Sequence, residues 1–116
     1  MAAKKISILN KFFATQSNAQ QHYSAICKSI SANNKRLEKG EDFEEIHDIY
    51  KQYCQLTNYK IQRLENITGF TAAPIIKENL GSFNTTICFY THFSDGTSED
   101  FSIYKALKTI ADHQNQ

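Results

Sequence analysis

Apolar and polar residues follow an ordered pattern from Asn84 to Ile110, which predicts a strand, a tight turn, a short return strand and a helix. One side of the first strand carries Ile87, Phe89 and Phe93, and the other side carries Cys88, Tyr90 and His92. Asp95-Gly96 predicts the turn, because glycine adopts the positive φ of a type I′ hairpin turn without strain. The return strand runs from Ser98 to Phe101, so this part of the chain is predicted to contain a β-hairpin.

The register of this hairpin has two alternatives. A two-residue loop places His92 opposite Glu99, whereas a one-residue bulge at the turn places Thr91 opposite Phe101. The bulged register pairs the apolar faces of the two strands better. The sequence leaves both registers open.

Three segments show the spacing of amphipathic helices, near residues 17–32, 42–57 and 103–113. Their predicted buried faces hold Ala19, Tyr23, Ile26, Cys27 and Ile30 in the first helix, Phe43, Ile46, Tyr50, Tyr53 and Thr57 in the second, and Ile103, Ala106, Leu107, Ile110 and Ala111 in the third. The predicted N-terminal caps are Ser17 with Gln20, Asp42 with Glu45, and Ser102. Asn58 is predicted to end the second helix.

The remaining segments predict short strands and connections. Ile6 and Ile8 alternate with polar residues, and Asn10-Lys11 predicts a turn into a second short strand. After the second helix, a helical turn is expected to lead into a strand near residues 66–72, and Pro74 is excluded from a central strand. Residues 75–83 are predicted to form a loop or a loose edge segment. The whole pattern predicts an α+β fold, a small and mostly antiparallel sheet with a C-terminal β-hairpin, packed against about three helices.

The length and the charge balance narrow the classes of function. The 116 residues form one predicted domain, 1–116, which is long enough for a hydrophobic core without disulfides or metal. The formal net charge is +1, whereas a dedicated duplex-DNA binder usually shows a clear basic excess, so any nucleic-acid surface would be a local patch. No apolar run approaches the ~20 residues of a membrane helix, which predicts a cytoplasmic protein without a membrane partner.

The three cysteines, Cys27, Cys54 and Cys88, are widely spaced and contain no CxxC pair. This spacing excludes zinc-finger and thioredoxin-type sites. Each cysteine lies among apolar neighbours, so all three are predicted to be buried small side chains rather than disulfide partners or nucleophiles.

Two groups of residues could in principle carry chemistry. Glu44-x-x-His47 has the spacing of half a carboxylate-bridged di-iron site, but the second Glu-x-x-His that such a site needs is missing. His92, Glu99 and Asp100 could form a general acid–base pair or a metal-assisted hydrolase site at the hairpin. Acidic residues on a short strand are explained more simply as protection against edge-to-edge pairing. The sequence therefore predicts a chain that is not an enzyme, with no catalytic residue, metal site or cofactor.

Basic residues are spread over three parts of the chain. Lys105 and Lys108 lie on the polar side of the third helix, while Lys35, Arg36 and Lys39 precede the second helix, and Lys60 and Arg63 follow it. If these residues converge in the fold, they could follow a phosphate backbone, with exposed tyrosines stacking on bases. The predicted contact residues are Lys105, Lys108, Tyr90 and His92.

The hairpin segment resembles the signature of the DCL domain family, named after the plant protein "defective chloroplasts and leaves". The resemblance is carried by Cys88-Phe89-Tyr90, Asp95-Gly96-Thr97, Glu99-Asp100-Phe101-Ser102 and Lys105-Ala106-Leu107, with weaker likeness at Phe13-Ala14-Thr15, Ala19, Tyr23, Lys60-Ile61 and Ile67-x-x-Phe70. Plant members of the family are associated with maturation of plastid ribosomal RNA, and a related domain ends a plant-specific RNA polymerase subunit. The resemblance implies a bacterial or phage-type member that acts as a small non-catalytic module in an RNA or ribonucleoprotein setting.

Three functions remain as hypotheses. The first is a non-catalytic RNA- or ribonucleoprotein-associated module, with a role in RNA maturation or as an RNA polymerase accessory. The alternative is a protein-binding adaptor or inhibitor encoded by a phage or mobile element, which the near-neutral charge favours. The third is a hydrolase built on His92, Glu99 and Asp100, and it ranks last.

Overall fold

A computed structural model describes residues 5–59, 61–79 and 82–115, with side chains for all of these except 61, 62, 75–79 and 82–86. The described residues form three α-helices and two antiparallel sheets of two and three strands, which confirms the predicted α+β class. The elements are β1 (Ile6–Ile8), β2 (Lys11–Phe13), α1 (Gln16–Ala32), α2 (Glu41–Thr57), a 3₁₀ helix (Ile61–Asn66), β3 (Ile67–Asn79), β4 (Ser82–Phe93), β5 (Ser98–Phe101) and α3 (Ile103–Gln114). Because α3 follows β5, the predicted hairpin does not form the C-terminus itself.

The first two strands form a small hairpin, as the alternation of Ile6 and Ile8 predicts. Both isoleucines are buried, and Ile6 pairs with Phe13 across the hairpin. The C-terminal end of α3 is attached to this hairpin through Gln114, whose side-chain amide both accepts from the Ser7 N–H at 2.9 Å and donates to the Ser7 carbonyl at 3.0 Å. The two ends of the described chain therefore hold each other in place.

The helix ends confirm some of the predicted caps and correct others. Ser102 caps α3, since its hydroxyl accepts from the Lys105 N–H at 3.3 Å, and Asn58 ends α2 with a φ of +54°. Helix α1 begins earlier than predicted, because Thr15 rather than Ser17 provides the capping oxygen and accepts from the Asn18 N–H at 3.0 Å. Only Ala14 separates Thr15 from the end of β2, so the chain already turns into the helix there.

The predicted Asp42 and Glu45 capping pair is wrong. Gly40, with a φ of +97°, occupies the cap position of α2, and no side chain caps this end. Glu45 is instead buried on the core side of α2. The acidic first turn still stabilises the helix through its dipole, because Glu41, Asp42 and Glu44 lie at the positive end.

The three-stranded sheet has the order β3-β4-β5, with β4 in the centre. The expected helical turn and the strand after it are confirmed by the 3₁₀ helix and β3. For residues 75–83 the loop alternative is wrong, whereas the edge-segment alternative fits residues 75–79, which continue the edge strand β3. Strand β3 continues to Asn79 and β4 begins at Ser82, with Asn79 and Ser82 paired. Residues 80 and 81 lie outside the described part. Pro74 fits within β3 because this strand flanks β4 on one side of the sheet, where a missing N–H is tolerated.

Both predicted registers of the β4–β5 hairpin are wrong. His92 pairs with Ser98 and Phe89 pairs with Phe101. The loop has three residues, Ser94 to Gly96, closed by hydrogen bonds from the Phe93 N–H to the Thr97 carbonyl at 2.9 Å and from the Gly96 N–H to the Phe93 carbonyl at 3.0 Å. Gly96 has a φ of +88°, as expected for a type I turn followed by a left-handed residue. This loop matches the strand twist and brings the two phenylalanines face to face.

The core lies between the helices and one face of the sheet. Phe70 is fully buried at the centre of an aromatic cluster, and its ring centroid lies 5.6 Å from that of Phe43, 6.5 Å from Tyr50 and 6.2 Å from Phe101. Most of the predicted helix faces are confirmed, since the residues buried in the helices are Ala19, Tyr23, Cys27, Ile30, Ile46, Tyr50, Ala106, Leu107, Ile110 and Ala111, together with Glu45, Ile49 and Cys54.

The buried face of α2 is shifted from its predicted position. Ile49 and Cys54 are buried there, whereas Thr57 is exposed. Helix α2 packs against α3, β1, β3 and the 3₁₀ helix, so its buried face is wider than the single row of residues that the spacing predicted. The predicted burial of Cys27, Cys54 and Cys88 is confirmed, and none of the three forms a disulfide within the described residues. In the described part of the chain, no helix has the length and apolar character needed to cross a membrane.

Candidate functional site

The face of the sheet that points away from the aromatic cluster carries Tyr90 and His92. Alternation along β4 places these two residues opposite to the buried Phe89 and Thr91. Tyr90 pairs with Thr71 of β3, and His92 pairs with Gly69. This surface, consisting of Thr71, Tyr90, His92, Ser98 and Asp100 with the overlying Arg36, is called the outer face below.

Arg36 reaches the outer face because its neighbour Leu37 is bound to β3. The Leu37 N–H donates to the Phe70 carbonyl at 2.8 Å, and the Phe70 N–H donates to the Leu37 carbonyl at 2.9 Å. Leu37 packs towards the core, so Arg36 lies on the opposite side. Its guanidinium donates to the Thr68 hydroxyl at 2.8 Å and to the Glu38 carboxylate at 3.0 Å.

Gly69 provides the space that Arg36 occupies. A Cβ atom at this position would lie 2.9 Å from the Arg36 Nε and 2.9 Å from the Leu37 carbonyl oxygen. Both distances are shorter than real Cβ contacts. The absence of a side chain at Gly69 therefore allows the guanidinium to lie across β3 towards His92, the residue that pairs with Gly69.

His92 is uncharged near neutral pH. Burial lowers its pKa, and the positive charge of Arg36 lowers it further. The His92 Nε2 lies 2.7 Å from the Thr71 hydroxyl oxygen, so the ring is held by a hydrogen bond whose donor depends on the tautomer. His92 thus contributes a polar ring rather than a positive charge to the outer face.

Replacing Gly69 with alanine is expected to lower the free energy of unfolding by about 2 kcal/mol, because the added methyl group overpacks against backbone. The Leu37 carbonyl cannot move away without losing its hydrogen bond to Phe70. Urea denaturation measures the change. Adding Arg36→Ala to the variant should not restore stability, since the Leu37 obstruction remains; full recovery in the double variant would show that only the arginine side chain was in the way.

The structure does not bring the four predicted contact residues together at one site. Tyr90 and His92 share the outer face, whereas Lys105 lies in the first turn of α3 at the rim of a cleft. Lys108 lies one turn further along α3, and its ammonium group is 3.2 Å from the Asp112 carboxylate. Arg36, which supplies the positive charge of the outer face, was not among the predicted contact residues. Leu37, a single apolar residue in a polar connection, was the available signal that this segment is bound to the sheet. Lys60 lies outside the described residues.

The acid–base pair that the hydrolase hypothesis requires is not formed. The observed register places Glu99 opposite Thr91, on the helix-facing side, while His92 pairs with Ser98 on the other side. Glu99 instead accepts from the Tyr59 hydroxyl at 3.3 Å and lies 3.5 Å from the Arg63 guanidinium.

The described residues also contain no group of three or more His, Cys, Asp or Glu placed to hold a metal ion. His47, of the Glu44-x-x-His47 motif, packs beside Phe43 with ring centroids 5.7 Å apart. Burial, followed by the charge of Lys51, lowers the pKa of His47. This histidine is therefore part of the packing around α2.

A cleft of about 390 Å³ lies between α2 and the corner where β5 leads into α3. This cleft, called the α2–α3 cleft below, is lined by Tyr50, Tyr53, Thr57, Tyr59, Cys88, Glu99, Asp100, Phe101, Ser102 and Lys105. Its floor is aromatic, since the Tyr50 and Phe101 rings lie 5.1 Å apart and are both almost fully buried. Its volume falls within the range of small ligand sites.

Comparison with known proteins found no match to a family model, a curated protein or a solved structure. The function of this chain is therefore inferred from its own residues and their arrangement.

Proposed function

We propose that this chain is a non-catalytic interaction module that contacts RNA through the outer face of its three-stranded sheet. The observation that carries the proposal is the position of Arg36, whose guanidinium lies over Gly69 and next to the row that contains Tyr90 and His92. A planar cation beside two rings on a sheet is suited to phosphate contact combined with base stacking. The resemblance to the DCL family supports the same setting.

The contacts of Arg36 favour a preorganised binding group. Hydrogen bonds to Thr68 and Glu38 hold the guanidinium in one orientation, which reduces the entropy lost on binding. Lys35 and Lys39, which flank this arginine along the chain, are both exposed. Since the net charge is only +1, we expect a local contact with modest affinity and a shallow dependence on salt.

RNA binding can be tested by fluorescence anisotropy with a single-stranded RNA of about 12 nucleotides at several salt concentrations. Arg36→Gln is expected to weaken binding about tenfold and to reduce the salt slope by about 1. Tyr90→Ala is expected to weaken binding by a similar factor without changing the slope, because stacking is not ionic. Lys28→Gln, at an exposed position of α1, is the matched control and should have little effect.

Absence of RNA binding at low salt would contradict the proposal. Equal losses in Arg36→Gln and Lys28→Gln would also contradict it, since they would indicate a general charge effect rather than a contact at the outer face. Chemical denaturation of each variant separates loss of binding from loss of folding.

A protein-binding function is the second candidate, and the α2–α3 cleft favours it. Tyrosine is enriched in protein interfaces because its ring provides a large contact area with few rotatable bonds. Tyr50, Tyr53 and Tyr59 line this one cleft, and Tyr59 is 42% exposed.

A further inference from the structure

We infer that the free edge of β4 joins two copies of this chain into an antiparallel dimer through residues 82–86. Strand β5 pairs with Phe89 to His92 of β4, and no described strand pairs with the part of β4 that precedes them on this side. A strand edge that lacks a neighbour presents a row of unpaired N–H and C=O groups to other chains. The pairing uses backbone groups at the edge of the sheet rather than the outer face, so the inference does not depend on RNA binding.

Every second residue of β4 directs its N–H and C=O groups towards the side on which β5 lies. The Phe93 N–H donates to the Thr97 carbonyl at 2.9 Å, and counting back from Phe93 in steps of two gives Thr85 and Phe83. The pairing with β5 does not extend to any residue before Phe89. The backbone groups of Phe83 and Thr85 are therefore directed to an open edge.

Strand β3 shows the same alternation on its own outer edge. The Phe70 N–H donates to the Leu37 carbonyl at 2.9 Å, away from β4, and Pro74, which has no N–H, has the same orientation four residues later. Ile76 continues this series and pairs with Thr85 in the ladder. Ile76 and Thr85 therefore direct their N–H groups to the two opposite edges of the β3–β4 pair.

The free edge of β4 lacks the features that keep strand edges from pairing. Residues 82–86 are Ser-Phe-Asn-Thr-Thr, a run without charge, proline or glycine. Charged residues and prolines are common means of protecting an edge. The other two strands of the sheet carry such residues, namely Pro74, Lys77 and Glu78 in β3 and Glu99 and Asp100 in β5. The edge of β4 is thus the one suited to addition of a strand.

A second copy of this chain fits the edge because the free run is complementary to itself. A two-fold axis at Asn84 places residues 82–86 of the two copies antiparallel, with Phe83 of each copy opposite Thr85 of the other. Each of these two pairs exchanges two backbone hydrogen bonds, roughly four in all. No charged residue of the run meets its own copy, and both open runs are used, so the assembly closes at two chains.

The length of the free run limits the strength of the dimer. The run ends before Ile87, whose carbonyl already accepts from the Cys27 thiol at 3.7 Å. Pairing of so short a run buries much less area than a standard interface, so we expect a dissociation constant of about 10–100 µM.

Sedimentation equilibrium of the full chain over a range of concentrations around this value tests the inference. Thr85→Pro removes the N–H that faces the free edge, and the same substitution on both copies is expected to raise the dissociation constant at least roughly tenfold. Ile76→Pro, directly opposite in the same ladder, is the matched control. It removes an N–H from the outer edge of β3 and should leave the dissociation constant unchanged, since an edge position tolerates proline. Circular dichroism shows whether each variant is folded.

A mixture of isotope-labelled and unlabelled chain provides a second measurement that requires no substitution. Filtered NOE spectra are expected to show a contact between the Ser82 Hα of one copy and the Thr86 Hα of the other, because these residues form a non-hydrogen-bonded pair across the axis. Within one strand these residues are about 13 Å apart, so the contact can arise only between copies.

A chain that stays monomeric over the whole concentration range would overturn the inference, even if the edge binds a strand from another protein. A dimer without the Ser82–Thr86 contact, or one that Ile76→Pro weakens as much as Thr85→Pro, would overturn it as well. Arg36→Gln is expected to weaken RNA binding and to leave dimerisation unchanged, so the failure of one proposal is distinguishable from the failure of the other.

Discussion

Replacing Glu45 with alanine is expected to lower the free energy of unfolding by about 3–5 kcal/mol, one of the two largest effects that we expect. Glu45 is only 2% exposed. Its carboxylate accepts from the Tyr23 hydroxyl at 2.8 Å and lies 3.1 Å from the Lys11 ammonium group. The contacts of this one side chain therefore connect β2, α1 and α2.

The expected loss has two physical sources. Alanine leaves the Tyr23 hydroxyl, on a fully buried side chain, without its acceptor, and an unsatisfied buried hydroxyl costs about 1–3 kcal/mol. It also leaves a cavity between the helices. Lys11 is partly exposed and keeps a second partner, Glu41, at 3.3 Å, so loss of its contact to Glu45 contributes less.

Urea denaturation of a small set of variants separates these sources. Glu45→Gln retains an acceptor for Tyr23, so its loss should be only about 1–2 kcal/mol. The control Glu44→Ala, at the exposed neighbouring position, removes only a helix-dipole interaction and should change stability by no more than about 1 kcal/mol. Tyr23→Phe should cost clearly less in the Glu45→Ala background than in the natural chain. Independent, additive effects of the two substitutions would contradict the role of the hydrogen bond.

The second large effect is a steep loss of stability at alkaline pH. Burial raises the pKa of the Cys27 thiol to about 12 and also raises the pKa of Cys54. Burial likewise raises the pKa of Tyr23 and Tyr50, with the hydrogen bond to Glu45 as a further cause for Tyr23. The folded chain therefore keeps these four protons at a pH at which the unfolded chain releases them.

The sign of the effect follows from proton linkage. Unfolded thiols and phenols ionise near pH 8.5 and 10, so below about pH 8 both states are protonated and these groups contribute their full stability. At higher pH the unfolded state binds fewer protons than the folded state, and the free energy of unfolding falls. Each group contributes roughly 1 kcal/mol per pH unit between its unfolded and folded pKa values.

Urea denaturation at a series of pH values from 7 to 11 measures this loss. Cys27→Ser keeps a hydrogen-bond donor towards the Ile87 carbonyl but removes the ionisable thiol, so stability should fall less steeply above pH 9. Tyr104→Phe, at a site that is 48% exposed, is the control and should leave the slope unchanged. An identical pH profile for Cys27→Ser and the natural chain would contradict the linkage.

Much of the local structure was predictable from the sequence, because the signals act over a few residues. The Ser102 cap and the spacing of Ala106, Leu107, Ile110 and Ala111 define α3 within one helix. Alternation located β1 and β4, and Asn58 marked the end of α2. These patterns were sufficient for the α+β class because each depends on neighbours along the chain.

The register of the β4–β5 hairpin could not be predicted from the sequence. Asp95-Gly96 located the turn but did not determine its length, and one added loop residue moves Glu99 from opposite His92 to opposite Thr91. This shift of one residue places His92 and Glu99 on opposite faces of the sheet, so they cannot form an acid–base pair. The register is selected by the packing of Phe89 against Phe101, whose stacked rings lie 5.6 Å apart.

By itself, the sequence determined the helices, the main turns and the α+β class, because periodicity and capping are properties of short segments. Only the tertiary structure decided that Glu45 joins Tyr23 and Lys11, that Arg36 lies over Gly69, and that tyrosines of α2 share a cleft with Phe101 and Lys105. Each of these groups unites residues that are distant along the chain. Their proximity depends on how the elements pack, since packing is a cooperative result of the whole core.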